Sequence, residues 1–137
     1  MKLMGFNFTK LNAEKSSLNL EGLKIGTSID IVSIEEKKYD SIKSNDSILI
    51  VEFNYIINYD PKIAKIELKG NIIISVEEKL AKEVIKDWKD KKVNDEFRLT
   101  LFNAILRKSN IKALQLEEEV NLPPHFNLPS LKIEDKK

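Results

Sequence analysis

Two long stretches of alternating apolar and polar residues dominate the middle of the chain. Odd-numbered positions from Leu49 to Tyr59 are apolar or aromatic, and even-numbered positions from Ala64 to Val76 repeat the pattern. Alternation with period two is typical of strands that bury one face of a sheet. Between them, Asp60 and Pro61 suit the first two positions of a type I turn. The pattern predicts a long antiparallel hairpin.

Weaker signals precede the hairpin. Met4, Phe6 and Phe8 alternate with polar residues and predict a short N-terminal strand, followed by a loop over residues 16–24. Ile29 and Ile31 indicate a second strand over roughly residues 27–39. Together these elements predict a sheet of four strands, whose long edges need a cover or a partner.

Helical periodicity takes over after Glu77. Leu80, Val84 and Trp88 repeat at a spacing of four and predict an amphipathic helix of three to four turns. Asn94 then has the side chain and the position of an N-cap, which predicts the start of another helix.

This next helix carries apolar residues on two sides. One stripe contains Phe97, Leu101, Ala104 and Ile105, and the other contains Leu99, Phe102 and Leu106. Such a helix needs packing on both sides, inside the domain or between subunits. The polar run 107–110 predicts a break, after which the helical pattern resumes at Ile111.

The last apolar segment, residues 121–131, reads NLPPHFNLPSL. Its three prolines exclude a regular helix or a central strand. The charged residues 132–137 are expected to be a disordered tail. The strand-rich first half and helix-rich second half favour an α+β fold, in which a four-stranded antiparallel sheet packs on a long apolar helix. Residues 1–131 form one domain in this interpretation.

Composition removes several classes of function. The 23 Lys and Arg residues balance 22 Asp and Glu residues, and only Arg98 and Arg107 are arginines, which is not typical of a nucleic-acid binder. The chain has no cysteine, so it has no disulfide framework and no thiolate nucleophile. Residues 1–15 have no apolar core of the signal-peptide type, and we expect a cytoplasmic protein.

Candidate chemistry is sparse. His125 is the only histidine and lies between Pro124 and Phe126, so it fits a packing or surface residue better than an acid–base catalyst. The run Glu117–Glu119, like the other acidic pairs, fits a solvated helix face better than a metal site. The glycines are isolated, and nothing resembles a phosphate-binding loop. We therefore predict a non-enzymatic protein with no catalytic residue, metal or cofactor.

Aromatic residues on the sheet leave a further choice open. Phe53, Tyr55 and Tyr59, with Tyr39, fit core or interface positions better than a base-stacking platform, which needs a basic groove beside it.

The order of elements and the proline-rich end resemble the SecB family of export chaperones and their SecB-like relatives. The likeness covers residues 25–131 in topology. In motif it covers only residues 122–131, where Leu122, Pro123 and Phe126 match a Pro-x-x-Phe element that follows the long helix of that family.

The resemblance implies an ATP-independent chaperone, assembled as a homotetramer (a dimer of dimers), that holds unfolded or nascent polypeptides in apolar grooves. It implies a groove built from two parts of the chain. The sheet would contribute Phe53, Tyr55 and Ile57, and the proline-rich segment would contribute Phe126, Leu128 and Leu131. Core packing is the alternative for each of the six residues. The apolar helix would supply the subunit interface, through Phe97, Leu101, Phe102 and Ile105.

Two other interpretations remain open. One is an adaptor or toxin–antitoxin-associated chaperone on the same scaffold, dedicated to a single partner. The other is a ribosome- or RNA-associated factor that uses Lys86, Lys89, Lys91 and Lys92, and whose binding would fall steeply with salt.

Overall fold

A computed structural model describes residues 1–37 and 46–129. Tyr39, Leu131 and the tail 132–137 lie outside the described residues. The described residues form four strands and two helices: β1 (Lys2–Lys15), β2 (Lys24–Lys37), β3 (Asp46–Asp60), β4 (Ala64–Glu77), α1 (Glu78–Trp88) and α2 (Asp95–Glu119). The predicted fold class, α+β with a four-stranded antiparallel sheet and a long helix, is confirmed.

The sheet has the strand order β1-β4-β3-β2, and every neighbouring pair is antiparallel. The predicted hairpin is present as β3 and β4, with Tyr59 opposite Ala64 and Asp46 opposite Glu77. The prediction of a type I turn is wrong, because Lys62 has a φ of +47° and a type I turn keeps both central residues at negative φ.

β1 is far longer than the pattern predicted, and the reason is a change of register. A bulge between Phe8 and Lys10 moves the helix-facing positions from Phe6 and Phe8 to Leu11 and Ala13. Because one extra residue switches the side-chain parity, the alternation is lost although the strand continues. A bulge between Ile31 and Ser33 has the same effect in β2.

Both helices cover one face of the sheet. Asn94 is the N-cap of α2, as predicted: its side-chain oxygen accepts hydrogen bonds from the backbone N–H groups of Glu96 and Phe97, at 2.9 and 3.3 Å. The predicted break at residues 107–110 is absent, since α2 runs unbroken for 25 residues and contains no Gly or Pro.

The core lies between this helix layer and the facing sides of β3 and β4. α2 buries a single stripe at a spacing of four residues: Phe97, Leu101, Ile105, Ser109, Ala113 and Glu117. Leu99 and Ile111 on its other sides are exposed. No helix of residues 1–37 and 46–129 is long and apolar enough to span a membrane.

An aromatic cluster closes the core at the β1 side. The rings of Phe6 and Phe8 lie 5.2 and 6.5 Å from the Phe53 ring, which packs over Gly70 of β4. Because Gly70 has no side chain, the Phe53 ring and the β1 backbone can both approach it closely.

Candidate polypeptide-binding surface

A shallow cleft of about 310 Å³, with apolar and charged residues in its lining, opens between β2 and the helix layer. Its apolar lining comes from β2, from both helices and from the loop between the helices, and consists of Ile29, Ile31, Trp88, Val93 and Phe102. The volume is near the lower end of the range of about 300–1,000 Å³ for ligand sites, so the cleft has room for few side chains.

Charged residues of both signs surround the cleft. Asp30, Lys91 and Arg98 lie at its rim. The Lys91 Nζ atom lies 4.5 Å from the centre of the Trp88 ring, and the Arg98 guanidinium carbon lies 6.0 Å from the centre of the Phe102 ring. Cations at these distances are attracted to the ring faces, which favours an ordered position of both aromatic side chains.

The strand beside the cleft is an edge strand. Among the described residues β2 pairs only with β3, and its register places Ile29 and Ile31 opposite Tyr55 and Phe53. The outer N–H and C=O groups of an edge strand are free to pair with another extended chain. The cleft therefore combines an apolar floor with a backbone edge.

After α2 the chain returns across the helix-covered face as an extended segment, Leu122–Pro129, which we call the crossover segment. Leu122 is buried, whereas Phe126 and Leu128 are 41% and 48% exposed. At its start, Lys15 Nζ donates a hydrogen bond of 3.0 Å to the carbonyl oxygen of Asn121. The segment thus offers large apolar side chains to solvent beside the core.

A buried polar cluster fixes the crossover segment to the sheet and to α2. His125 Nδ1 lies 3.0 and 3.2 Å from the two carboxylate oxygens of Glu117. The hydroxyl group of Tyr59 donates to the same carboxylate and lies 3.0 Å from the carbonyl oxygen of Pro123. The Tyr55 hydroxyl donates to Asn110 Oδ1 at 2.6 Å, and its oxygen lies 3.0 Å from His125 Nε2.

The two tyrosines of this cluster remain hydrogen-bond donors. Burial raises the pKa of Tyr55 and of Tyr59, the Glu117 carboxylate raises both further, and its hydrogen bond adds to the effect on Tyr59. Both phenols therefore keep their protons throughout the neutral pH range.

The cluster and the cleft lie on the same face of the sheet. Tyr55, which contacts His125, is the residue opposite Ile29 of the cleft. The crossover segment therefore passes the sheet at the same level as the cleft.

The residues predicted for the groove separate into two groups. Phe53, Tyr55 and Ile57 are 1%, 0% and 0% exposed, and they face the helix layer as core residues. A side chain this buried has no surface to offer a client in this conformation. Phe126 and Leu128 are exposed, and Leu131 lies outside the described residues.

The helix residues predicted for the subunit interface separate in a similar way. Phe97, Leu101 and Ile105 are at most 2% exposed, because they pack into the core of their own chain. Phe102 is only partly buried and lines the cleft. On the second apolar side of α2, Phe102 and Leu106 are partly buried against the core, whereas Leu99 is 64% exposed.

The prediction that Glu117 lies on a solvated helix face is wrong. For His125, the sequence pattern predicted no partner. Glu117 is buried, whereas its neighbours Glu118 and Glu119 are exposed. The sequence contains a signal for the burial of Glu117, because this residue continues the buried stripe of α2, eight residues after Ser109 and four after Ala113. The side chain of His125 is also buried, at 5% exposure, through contacts that no local pattern reveals.

The strand order β1-β4-β3-β2, the helix layer on one face and the extended crossover segment together define a SecB-like fold. The solved structure of the Mycobacterium tuberculosis SecB-like chaperone Rv1957, in complex with a ChAD peptide from the Rv1956 HigA1 antitoxin, is similar, with a TM-score of 0.52. The two chains are 11% identical, and the likeness covers 97% of this chain and 91% of that one. No protein-family model and no curated protein matches the sequence.

Proposed function

We propose that this protein is an ATP-independent SecB-like chaperone that binds extended, unfolded polypeptide. The observation that carries the proposal is the partly apolar cleft beside β2, which among the described residues is an edge strand, on a fold shared with a chaperone that binds a peptide. The proposal includes assembly as a homo-oligomer, a cytoplasmic location and no enzymatic activity.

The mechanism follows from what an unfolded chain exposes. Its apolar side chains gain about 1.5–3 kcal/mol each when they are fully buried, and its unpaired backbone can add to the β2 edge. Neither interaction depends on a particular client sequence. Because association carries a large entropic cost, a cleft that holds few side chains gives modest affinity, which suits a protein that must release its client.

Phe126 and Leu128 would extend this surface. They are exposed on the crossover segment, at the level of the sheet where the cleft lies.

The test is suppression of aggregation. The purified protein, without nucleotide, is mixed with a chemically denatured unrelated protein, and light scattering is followed during dilution. We expect scattering to fall as the chaperone is added in excess. Unchanged scattering at several-fold excess would refute binding of general unfolded clients.

Variants on one helix locate the site. Phe102→Ser should weaken suppression at least several-fold, since Phe102 lines the cleft. Leu99→Ser is the matched control, because Leu99 is exposed on the same helix and is not part of the lining. Equal loss in both variants would place the client elsewhere on α2.

A chaperone or adaptor dedicated to one partner is the second candidate. The similar structure favours it because that chaperone holds a peptide from an antitoxin. Affinity capture that returns one stoichiometric partner favours this candidate, and many weak partners favour the general chaperone. Binding to RNA is less favoured, since Asp87 and Asp90 alternate with the lysines at the end of α1.

A further inference from the structure

We propose that the cleft beside β2 prefers extended client segments in which apolar and acidic residues share one face of the strand. The preference rests on the chaperone function proposed above, and it adds the chemistry of the client to that function. The charges at the cleft, their freedom to bind and the spacing of side chains along an added strand support it.

Both charged residues that the helix side contributes to the cleft are positive. Lys91 follows α1 and Arg98 lies near the start of α2, and each cation lies close to an aromatic ring of the lining. Asp30 of β2 also borders the cleft, but it pairs with Asn54, whose neighbours along β3 face the helix layer. Because side chains alternate between the two faces of a strand, the Asp30 carboxylate points to the opposite face of the sheet. The helix side of the cleft therefore favours negative charge.

Neither cation is firmly paired. Among residues 1–37 and 46–129, Lys91 forms no ion pair. Arg98 lies 3.8 Å from the Asp95 carboxylate, with the two side chains 55% and 97% exposed. Exposed ion pairs are weak, so a client carboxylate can replace Asp95. Since the formal net charge of the chain is only +1, a preference for acidic clients must come from this local arrangement.

The backbone holds Lys91 at the cleft. Its φ is +58°, a left-handed conformation that favours glycine. The Lys91 N–H donates to the carbonyl oxygen of Trp88 at 2.8 Å, and the Lys92 N–H donates to that of Asp87 at 3.0 Å. These hydrogen bonds close the end of α1 and turn the Lys91 side chain back over the Trp88 ring. The ammonium group thus starts from an ordered position, which lowers the entropic cost of binding a carboxylate.

A client strand that adds to β2 presents its side chains in a fixed order. Residues two apart lie on the same face, about 7 Å from each other. An apolar residue in the cleft therefore has its second neighbours on the side of Lys91 and Arg98. Its direct neighbours lie on the other face, beside Asp30, where an acidic residue is repelled. The preferred pattern is apolar, neutral, acidic. A polypeptide suits the site better than RNA does, since only a polypeptide backbone pairs with the β2 edge.

Three fluorescent peptides, mixed with the full chain, test the preference. In ITETFTET the acidic residues share the face of the apolar residues, in IETTFETT the same residues are arranged with the acids on the other face, and in ITKTFTKT lysines replace the acids. In fluorescence anisotropy at low salt, ITETFTET should bind about threefold tighter than IETTFETT and about tenfold tighter than ITKTFTKT. Both differences should shrink at about 1 M salt.

Two lysine variants locate the preference. Lys91→Gly removes one cation and suits the left-handed backbone, so the fold should stay intact while most of the preference for ITETFTET over IETTFETT is lost. Lys62→Gly is the matched control, because Lys62 also has a positive φ, +47°, but lies in the turn between β3 and β4 and not in the cleft lining. It should keep the full preference.

The other outcomes separate this preference from the chaperone function. Equal affinities for the three peptides, or equal losses in both lysine variants, would overturn the charge preference and leave a general chaperone. Absence of binding by every peptide would overturn the preference together with the β2 site, whereas the aggregation assay would still test chaperone activity. Displacement of ITETFTET by single-stranded RNA, abolished in Lys91→Gly, would identify a nucleic-acid site instead and would also overturn the proposal.

Discussion

Replacing Gly70 with alanine should destabilise the fold through one methyl group. A Cβ atom at this position would overlap the backbone carbonyl oxygen of Asn7 in β1 and would lie 2.9 Å from Cζ of the Phe53 ring. Phe53 is 1% exposed and is packed against Phe6 and Phe8, so its ring has little freedom to move away. The strain must be relieved by displacing the β1 backbone.

The magnitude follows from these contacts. Overpacking of a core costs about 1–3 kcal/mol, and a ladder hydrogen bond lost near the Phe8 bulge adds about 1 kcal/mol. The reduced freedom of alanine in the unfolded chain returns about 0.5–1 kcal/mol. The free energy of unfolding should therefore fall by about 1–3.5 kcal/mol. At about 3 °C per kcal/mol for a chain of this size, Tm falls by about 3–10 °C.

Gly5→Ala and Gly26→Ala are matched controls. Both glycines lie in strands, but a Cβ at Gly5 would meet only the Ile73 side chain, at 3.6 Å, and a Cβ at Gly26 would meet nothing within 4 Å. We expect both to leave the free energy of unfolding unchanged or slightly higher. Urea unfolding followed by circular dichroism, at one fixed protein concentration, gives the three values. A Gly70→Ala protein as stable as the Gly5→Ala protein would refute the steric argument.

Four further substitutions test α2 and its N-cap. Ile105→Ala, at a fully buried position, should lower the free energy of unfolding by about 2–5 kcal/mol. Ile111→Ala is the control at an exposed position and should change it by less than about 0.5 kcal/mol. Similar losses for the two variants in urea unfolding would contradict the packing of α2. Asn94→Ala removes the N-cap and should lower the free energy of unfolding by about 1 kcal/mol. An unchanged free energy of unfolding would mean that the cap is dispensable. Ser109→Ala should raise Tm by a few degrees, because among the described residues its buried hydroxyl has no hydrogen-bond partner, and a lower Tm would reveal an unrecognised one.

Predictions from the sequence succeeded where a repeat was long and unbroken. The β3–β4 hairpin and the cap at Asn94 depend on neighbours in sequence, so local patterns predicted them. Predictions failed where an extra residue or a short polar run interrupted the apolar pattern. The bulge after Phe8 hid the second half of β1, and the polar residues at 107–110 imitated a helix end although they interrupt only the apolar pattern.

The candidate site was harder to predict from the sequence than the fold. Its cleft joins Ile31 of β2 to Trp88 of α1 and Phe102 of α2, three segments that are far apart in sequence. A pattern within one segment cannot show which of its apolar residues remain uncovered once the layers pack. That is why Phe53, expected in the groove, lies in the core, and Phe102, expected in the subunit interface, lines the cleft.

The sequence by itself determined the β3–β4 hairpin with its buried face and the start of α2, because side-chain periodicity follows directly from backbone geometry. The tertiary structure alone decided the environment of His125. Its partners are Glu117, 8 residues away along the chain, and Tyr55, 70 residues away. Only the return of the crossover segment over the sheet brings them together, in a dry interior where a carboxylate and an imidazole interact far more strongly than in water.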